Sequence, residues 1–349
     1  MPRKSTAKSV RAVSSLTTEF DDDGDLRLRV GAEIGACEAH EFLVCSRTMS
    51  RASKVWRTML YGNFSEAKRP KAEWSVDLPE DNPSAMKTVL SIIHTRWNIT
   101  PKLDSSIALE DLYQLTVLTD KYALTHILSP WASSWADRVY GTLTGEGHDI
   151  LHLEKQAWIA WELGDRELLQ KVAQLMILHP EFTIDQQERI FTETLEPTGF
   201  QDILDAQSLG IKTKLLSLFS LGIQALIKTP KDPGHSDCQK PCLYGHFSEA
   251  DKREHRGCMD MMLGYMIRFL TENRLWPIPP PTTVILSPYT LADTLRAMKF
   301  GGPSNHTLCQ PIGGLKDKIS KILSDSIIDI SKSQEKHLKT QAVQSGLFK

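Results

Sequence analysis

From residue 26 the chain alternates: Leu26, Leu28 and Val30 are apolar, with Arg27 and Arg29 between them. A period of two is that of a strand with one buried face. Residues 31–35 can turn the chain, 41–44 predict a second strand, and Trp74, Val76 and Leu78 predict a third. Between them the period changes. Val55, Trp56, Met59 and Leu60 form a helical stripe within residues 50–61. Another helix is predicted from Pro83, capped by Asn82, burying Met86, Val89, Leu90 and Ile93. A long helix follows with Leu112, Leu115, Thr119 and Tyr122 on one face.

Beyond residue 130 the strand signals almost cease. Trp158, Trp161 and Glu162 lie on a helix that Gly164 ends, and Asp165 caps the next, which carries Leu168, Leu169, Val172, Leu175 and Met176. Helical stripes run through 203–227. Residues 228–257 read as a polar loop. A helix with Cys258, Met262, Tyr265 and Phe269 on one face comes next, and the run Trp-Pro-Ile-Pro-Pro-Pro over 276–281 must be extended. Ser287-Pro288 starts a helix carrying Leu291, Leu295 and Met298, and a last helix places Leu315, Ile319, Ile322, Leu323 and Ile330 on one side. The pattern is α+β at first and α-helical afterwards. It divides the chain into a basic disordered tail over 1–20, an α+β domain over 21–140 and a helical domain over 141–349.

Composition narrows the function. With 41% hydrophobic and 24% charged residues, the 349-residue chain is an ordinary globular one, and a net charge of -2 draws it toward neither nucleic acid nor anionic lipid. The longest uncharged apolar run, 215–227, is too short to cross a bilayer, which takes about 20 residues. The first 18 residues are basic and have no apolar core like that of a secretory signal, and six scattered cysteines fit a reducing compartment, cytoplasmic or nuclear. The cluster from Asp21 to Asp25 fails as a calcium loop, since Leu26 stands where glycine is needed and Ala32 where glutamate is needed. It reads as a solvated turn, and order is expected to begin after it.

No nucleophile elbow, phosphate loop, dinucleotide fingerprint or metalloprotease helix is present in the sequence, so an enzyme is not expected. One constellation carries possible chemistry: Cys238 and Cys242, Cys258, then His306 and Cys309. Zinc takes four sulfur or imidazole ligands, commonly in close pairs. Four of these five residues would make a structural zinc site; ordinary free or core cysteines are the first reading, and a disulfide is the third. Cys37 and Cys45 are read as core or sheet-face residues. Trp131 and Trp135, four apart, are read as helix packing before a peptide groove. Arg27 and Arg29 are read as an exposed strand face before a nucleic-acid patch.

The stretch FLVCSRTMSRASKVWRTMLYGNFSEA over 42–67 resembles the core of the BTB/POZ family. There a strand runs into a helical hairpin with a serine before an aromatic, then Met-Leu, a phenylalanine and an acid. Here those positions are Ser53, Trp56, Met59, Leu60, Phe64 and Glu66. The strand at 74–78, the helix at 83–94, and Leu112, Leu115, Lys121 and Tyr122 continue the likeness in order. Cys45-Ser46-Arg47 replaces the His-Lys pair of many animal members, so the chain looks more like the filamentous-fungal ones, as does AWIAWELGDRELL over 157–169. The resemblance implies a protein-interaction module that homodimerises or recruits a protein partner; the charge, the absent DNA-binding motifs and the short apolar run lead us to expect no direct nucleic acid and no membrane. The resemblance also raises two alternatives, a substrate adaptor of a cullin-type ubiquitin ligase and an indirect transcription-associated scaffold. The adaptors' hydrophobic-x-Glu motif is not evident between residues 94 and 109.

Overall fold

The computed structural model describes residues 17–34, 40–68, 73–102, 106–143, 149–180, 191–228, 249–299, 312, 314–325 and 328–348, without the side chains of 17, 249–255 and 258. It is a mixed α+β protein with one small sheet and a helical C-terminal region. The strands are β1 (Thr17–Glu19), β2 (Leu26–Val30), β3 (His40–Val44) and β4 (Ser75–Leu78). The helices are α1 (Ser46–Ala52), α2 (Lys54–Tyr61), α3 (Pro83–Ile93), α4 (Leu109–Lys121), α5 (Ala132–Thr142), α6 (Ile150–Leu163), α7 (Arg166–Ile177), α8 (Phe200–Ile227), α9 (Glu249–Glu272), α10 (Pro288–Arg296), α11 (Leu315–Ser324) and α12 (Lys332–Ser345). Short 3-10 turns occupy Thr125–Leu128 and Pro281–Thr283. The chain forms two compact units. The first comprises 1–148, 155–169 and 332–349; the second comprises 149–154 and 170–331. The expected α+β domain, 21–140, lies inside a first unit that also takes in α12 from far along the sequence.

In the first unit the sheet order is β1-β3-β2-β4. β2 and β3 are antiparallel, with Leu26 opposite Val44, while β1 runs parallel to β3 and β4 parallel to β2. The period-two residues Leu26, Leu28, Val30, Phe42, Val44 and Val76 are all buried, joined by Met49, Trp56, Leu60, Met86, Val89, Leu112 and Leu115 from the helices. Thr17–Glu19 correct the expected tail: they form a strand, and Phe20 behind them is buried. Three residues reading Thr-Thr-Glu have no pattern of their own, and only pairing with β3 makes them a strand. The single stripe read over 50–61 is two helices, broken at Ser53, whose backbone is extended. Asn82 caps α3, its Oδ1 accepting from the Ala85 N–H at 3.0 Å, with Pro83 in the first turn as expected.

The second unit is built around α8, which packs against α9, α10 and α11. α8 is long and apolar enough to cross a membrane by length and composition, but Leu204, Ile211, Leu215, Phe219 and Ile223 are buried within the unit. α9 begins at Glu249, inside the expected polar loop. Its inward face is Met262, Met266 and Leu270, while Tyr265 is exposed, so the face read from sequence was rotated. The Ser287 hydroxyl caps α10, accepting from the Thr290 N–H at 3.0 Å, and Leu291 and Leu295 are buried. α11 buries Leu315, Ile319 and Leu323 and stops at Ser324, so Ile330 is not on it. The Trp276–Pro277 peptide is cis.

Candidate interaction site

Ser53 sits where α1 ends and α2 begins. Its hydroxyl accepts from the Trp56 N–H at 3.0 Å and donates to the Tyr122 carbonyl at 2.6 Å, so one side chain caps a helix and ties it to the end of α4. The Trp56 ring lies 4.9 Å from that of Tyr122. The Tyr122 phenol donates to Oδ2 of Asp81, and the Lys121 ammonium to Oδ1, both at 2.5 Å. Asp81 is buried, and a buried carboxylate needs such partners. Burial, with the Asp81 charge beside it, pushes the Tyr122 phenol well above its ordinary pKa and keeps it a donor. Ser53, Trp56, Lys121 and Tyr122, singled out in the sequence, therefore meet in one network. The acid that completes it, Asp81, was not foreseen, because nothing in the local pattern separates a buried aspartate from a turn residue.

This network lies inside and shapes the surface without lining it. Outward, α2 and the turn after it expose Val55, Tyr61 and Phe64, the last at 58%. The segment after α3 is fixed tightly. Arg96 donates from Nε to the Phe20 carbonyl at 2.8 Å and pairs with Asp22, its own N–H reaches the Ser91 carbonyl at 2.8 Å, and the Thr100 hydroxyl donates to the Arg96 carbonyl. That frame holds Trp97 64% exposed, with Ile99 also exposed. A large aromatic side chain presented by an ordered loop loses little entropy on contact and is the kind of group that anchors protein interfaces.

The basic pair on β2 has acidic partners: Arg27 contacts Glu41 at 2.6 Å and Glu73 at 2.8 Å, and Arg29 contacts Asp77 at 3.0 Å. Each guanidinium is answered by acid on the same sheet face, which leaves no phosphate-binding stripe there. Trp131 and Trp135 are buried, stacked with centroids 5.9 Å apart, and the Trp131 indole donates to the Pro101 carbonyl. They are packing residues.

Cys45 is a half-buried free thiol preceding α1. Its backbone N–H donates to Nε2 of His94, whose Nδ1 meets the Leu90 carbonyl at 3.1 Å, so the ring is held as the neutral Nδ1–H form. Burial lowers the His94 pKa accordingly. Of the proposed zinc ligands, Cys238, Cys242, His306 and Cys309 lie outside the described residues, as does Cys37. Cys258 falls on α9, and its side chain is also outside. Among the described residues no three His, Cys, Asp or Glu side chains group as a metal site.

No protein-family model matches the sequence, and a search of the curated proteins finds no match to it.

Proposed function

We propose that the chain is an intracellular protein-interaction module whose first unit is BTB/POZ-like, acts by self-association through α1, α2 and the neighbouring strands, and catalyses no reaction. The observation that carries this reading is one network, in which Ser53 and Trp56 meet Tyr122, and Lys121 and Tyr122 meet Asp81. The residues behind the resemblance act as one unit, within an order of strand, strand, helical hairpin, strand, helix and long helix. The exposed Val55 on α2 and Phe64 in the turn after it support it further, since BTB/POZ domains use their first strand and early helices as a dimer surface.

Light scattering of the full chain tests the reading. Self-association gives a mass of about twice 39.3 kDa at micromolar concentration. Val55→Asp with Phe64→Asp should return it to the monomer with its helix content unchanged by circular dichroism, because both side chains face outward. A wild-type monomer at high concentration would sink the proposal.

A further inference from the structure

The run of prolines that follows α9 has no part in the first unit. Pro277, Pro279, Pro280 and Pro281 remove four N–H donors from five residues and hold φ near the polyproline II value. Pro280 shows it, with φ -56° and ψ 136°. That helix has three residues per turn, so Pro277 and Pro280 fall on one edge. Both are exposed, while Ile278, Pro279 and Pro281 are half-buried. One edge of a left-handed helix is therefore turned to water and the other two rest on the protein.

Both ends of the segment are pinned. Upstream, Leu275 is buried and its N–H reaches the Leu270 carbonyl at 2.7 Å. Downstream, the Thr283 N–H reaches the Pro280 carbonyl at 2.9 Å, and the Val284 carbonyl accepts from the buried Lys212 ammonium at 2.8 Å. The chain on either side exposes apolar groups, Trp276 before it and Ile285 (71%), Leu286 and Tyr289 after it. Arg274 is exposed and has no ion pair among the described residues.

We propose that Pro277–Pro280 is a preformed polyproline II ligand for a partner domain with an aromatic-lined groove, which takes Pro277 and Pro280 in adjacent slots and offers an acidic rim to Arg274. Such grooves read prolines one turn apart because the ring is both apolar and already ordered. The anchoring by Leu275 and Lys212 means the ligand side pays no ordering cost on binding. The ligand frame runs from Pro277 to Pro280, where the 3-10 turn begins.

The test uses the purified full chain against a panel of purified SH3, WW and EVH1-type domains, measured by biolayer interferometry. At least one domain class should bind, and Pro277→Ala with Pro280→Ala should weaken it about tenfold or more, the scale of losing an interface anchor. Arg274→Glu should weaken it too and flatten its salt dependence. A free peptide spanning 274–283 should compete with the full chain, a readout that does not depend on the variants' folding. The proposal is overturned if no panel member binds the full chain, if the double proline variant binds as the wild type does, or if the peptide binds while the full chain does not. It is equally overturned if the double variant changes only the mass of the chain itself, since a second copy would then be the occupant. Self-association through the first unit can fail without affecting this result, and the reverse.

Discussion

Glu162 offers a measurement that reads burial directly. It lies on α6 with no solvent exposure, shares a hydrogen bond with the Thr125 hydroxyl, and accepts from Gln341 Nε2 at 2.8 Å. Gln341 belongs to α12. Burial first, with the Asp120 charge adding to it, pushes the Glu162 carboxyl up from 4.5 to about 8. Asp120 is itself raised by burial, and His337, stacked on Trp161 at 4.0 Å, is lowered by burial, so three perturbed groups join α4, α6 and α12. When α12 opens, water reaches Glu162 and its pKa falls back. Between pH 4.5 and 8 the closed state holds a proton that the open state releases. Stability of the closed state is therefore complete below pH 4.5 and is lost as pH rises through about 8. The slope approaches about 1.4 kcal/mol per pH unit, so going from pH 5.5 to 7.5 costs about 2 to 3 kcal/mol. That is a fall of about 30- to 150-fold in protection of the α12 amides. Hydrogen exchange over α12, corrected for intrinsic rate, measures it. Glu162→Gln should match the wild type at pH 5.5 to within about 1 kcal/mol, because an amide can repeat both hydrogen bonds. It should lack the wild-type decline at higher pH. Taking the difference between the two proteins removes every titrating group that behaves alike in both. If the two profiles run parallel, Glu162 is ionised in the closed state and the reasoning is wrong.

Gly164 has φ +77°, and a Cβ there would stand 2.2 Å from the Ala342 nitrogen and 2.5 Å from the Leu338 oxygen. Gly164→Ala should therefore cost about 2 kcal/mol or more and strip protection from α12 first; a loss under about 0.5 kcal/mol would show that α12 does not sit this close. In the second unit, burial lowers the Lys212 ammonium from 10.5 to about 8. The unfolded chain then holds a proton that the folded chain lacks between those values, so wild-type stability should rise from pH 8 to 10.5. Urea melts at pH 8, 9 and 10 should show that rise in the wild type and not in Lys212→Met; equal slopes would place the ammonium in water.

Much of the first unit was legible because its elements carry complete local signals. The alternation over Leu26–Val30, the Asn82-Pro83 helix start and the Gly164-Asp165 junction each combine a period with a cap. Where the reading failed, the deciding contact was distant. β1 exists through its pairing with β3, and the break at Ser53 is stabilised by Tyr122, 69 residues away. The rotated face of α9 has a different origin: Tyr265 is apolar enough to fit the stripe, but Met266 is the residue that α9 buries. α12 was hidden because its contact face is polar: Gln334, Gln341 and Ser345 are buried beside Leu338 and Ala342. A hydrophobic period cannot register a helix that docks by glutamines. The candidate interaction surface was legible only in part, since Phe64 came with the resemblance whereas Trp97 depends on a loop that Arg96 fixes.

The pairing of Glu162 with Gln341 spans 179 residues, and that separation is also an interval of time. At about 5 to 20 residues per second, a ribosome makes Gln341 roughly 10 to 35 seconds after Glu162. Throughout that wait the seat of α12 faces water and the Glu162 carboxyl is an ordinary ionised acid. The nascent sheet and early helices can pack, but their far wall is missing until the second unit has been translated. On a polysome, neighbouring chains bear the same vacant seat, and an α12 already finished on one chain fits the next as well as its own. The late arrival of this helix makes exchange between copies a hazard of synthesis, and the steric closeness at Gly164 leaves that seat with little tolerance for any other segment.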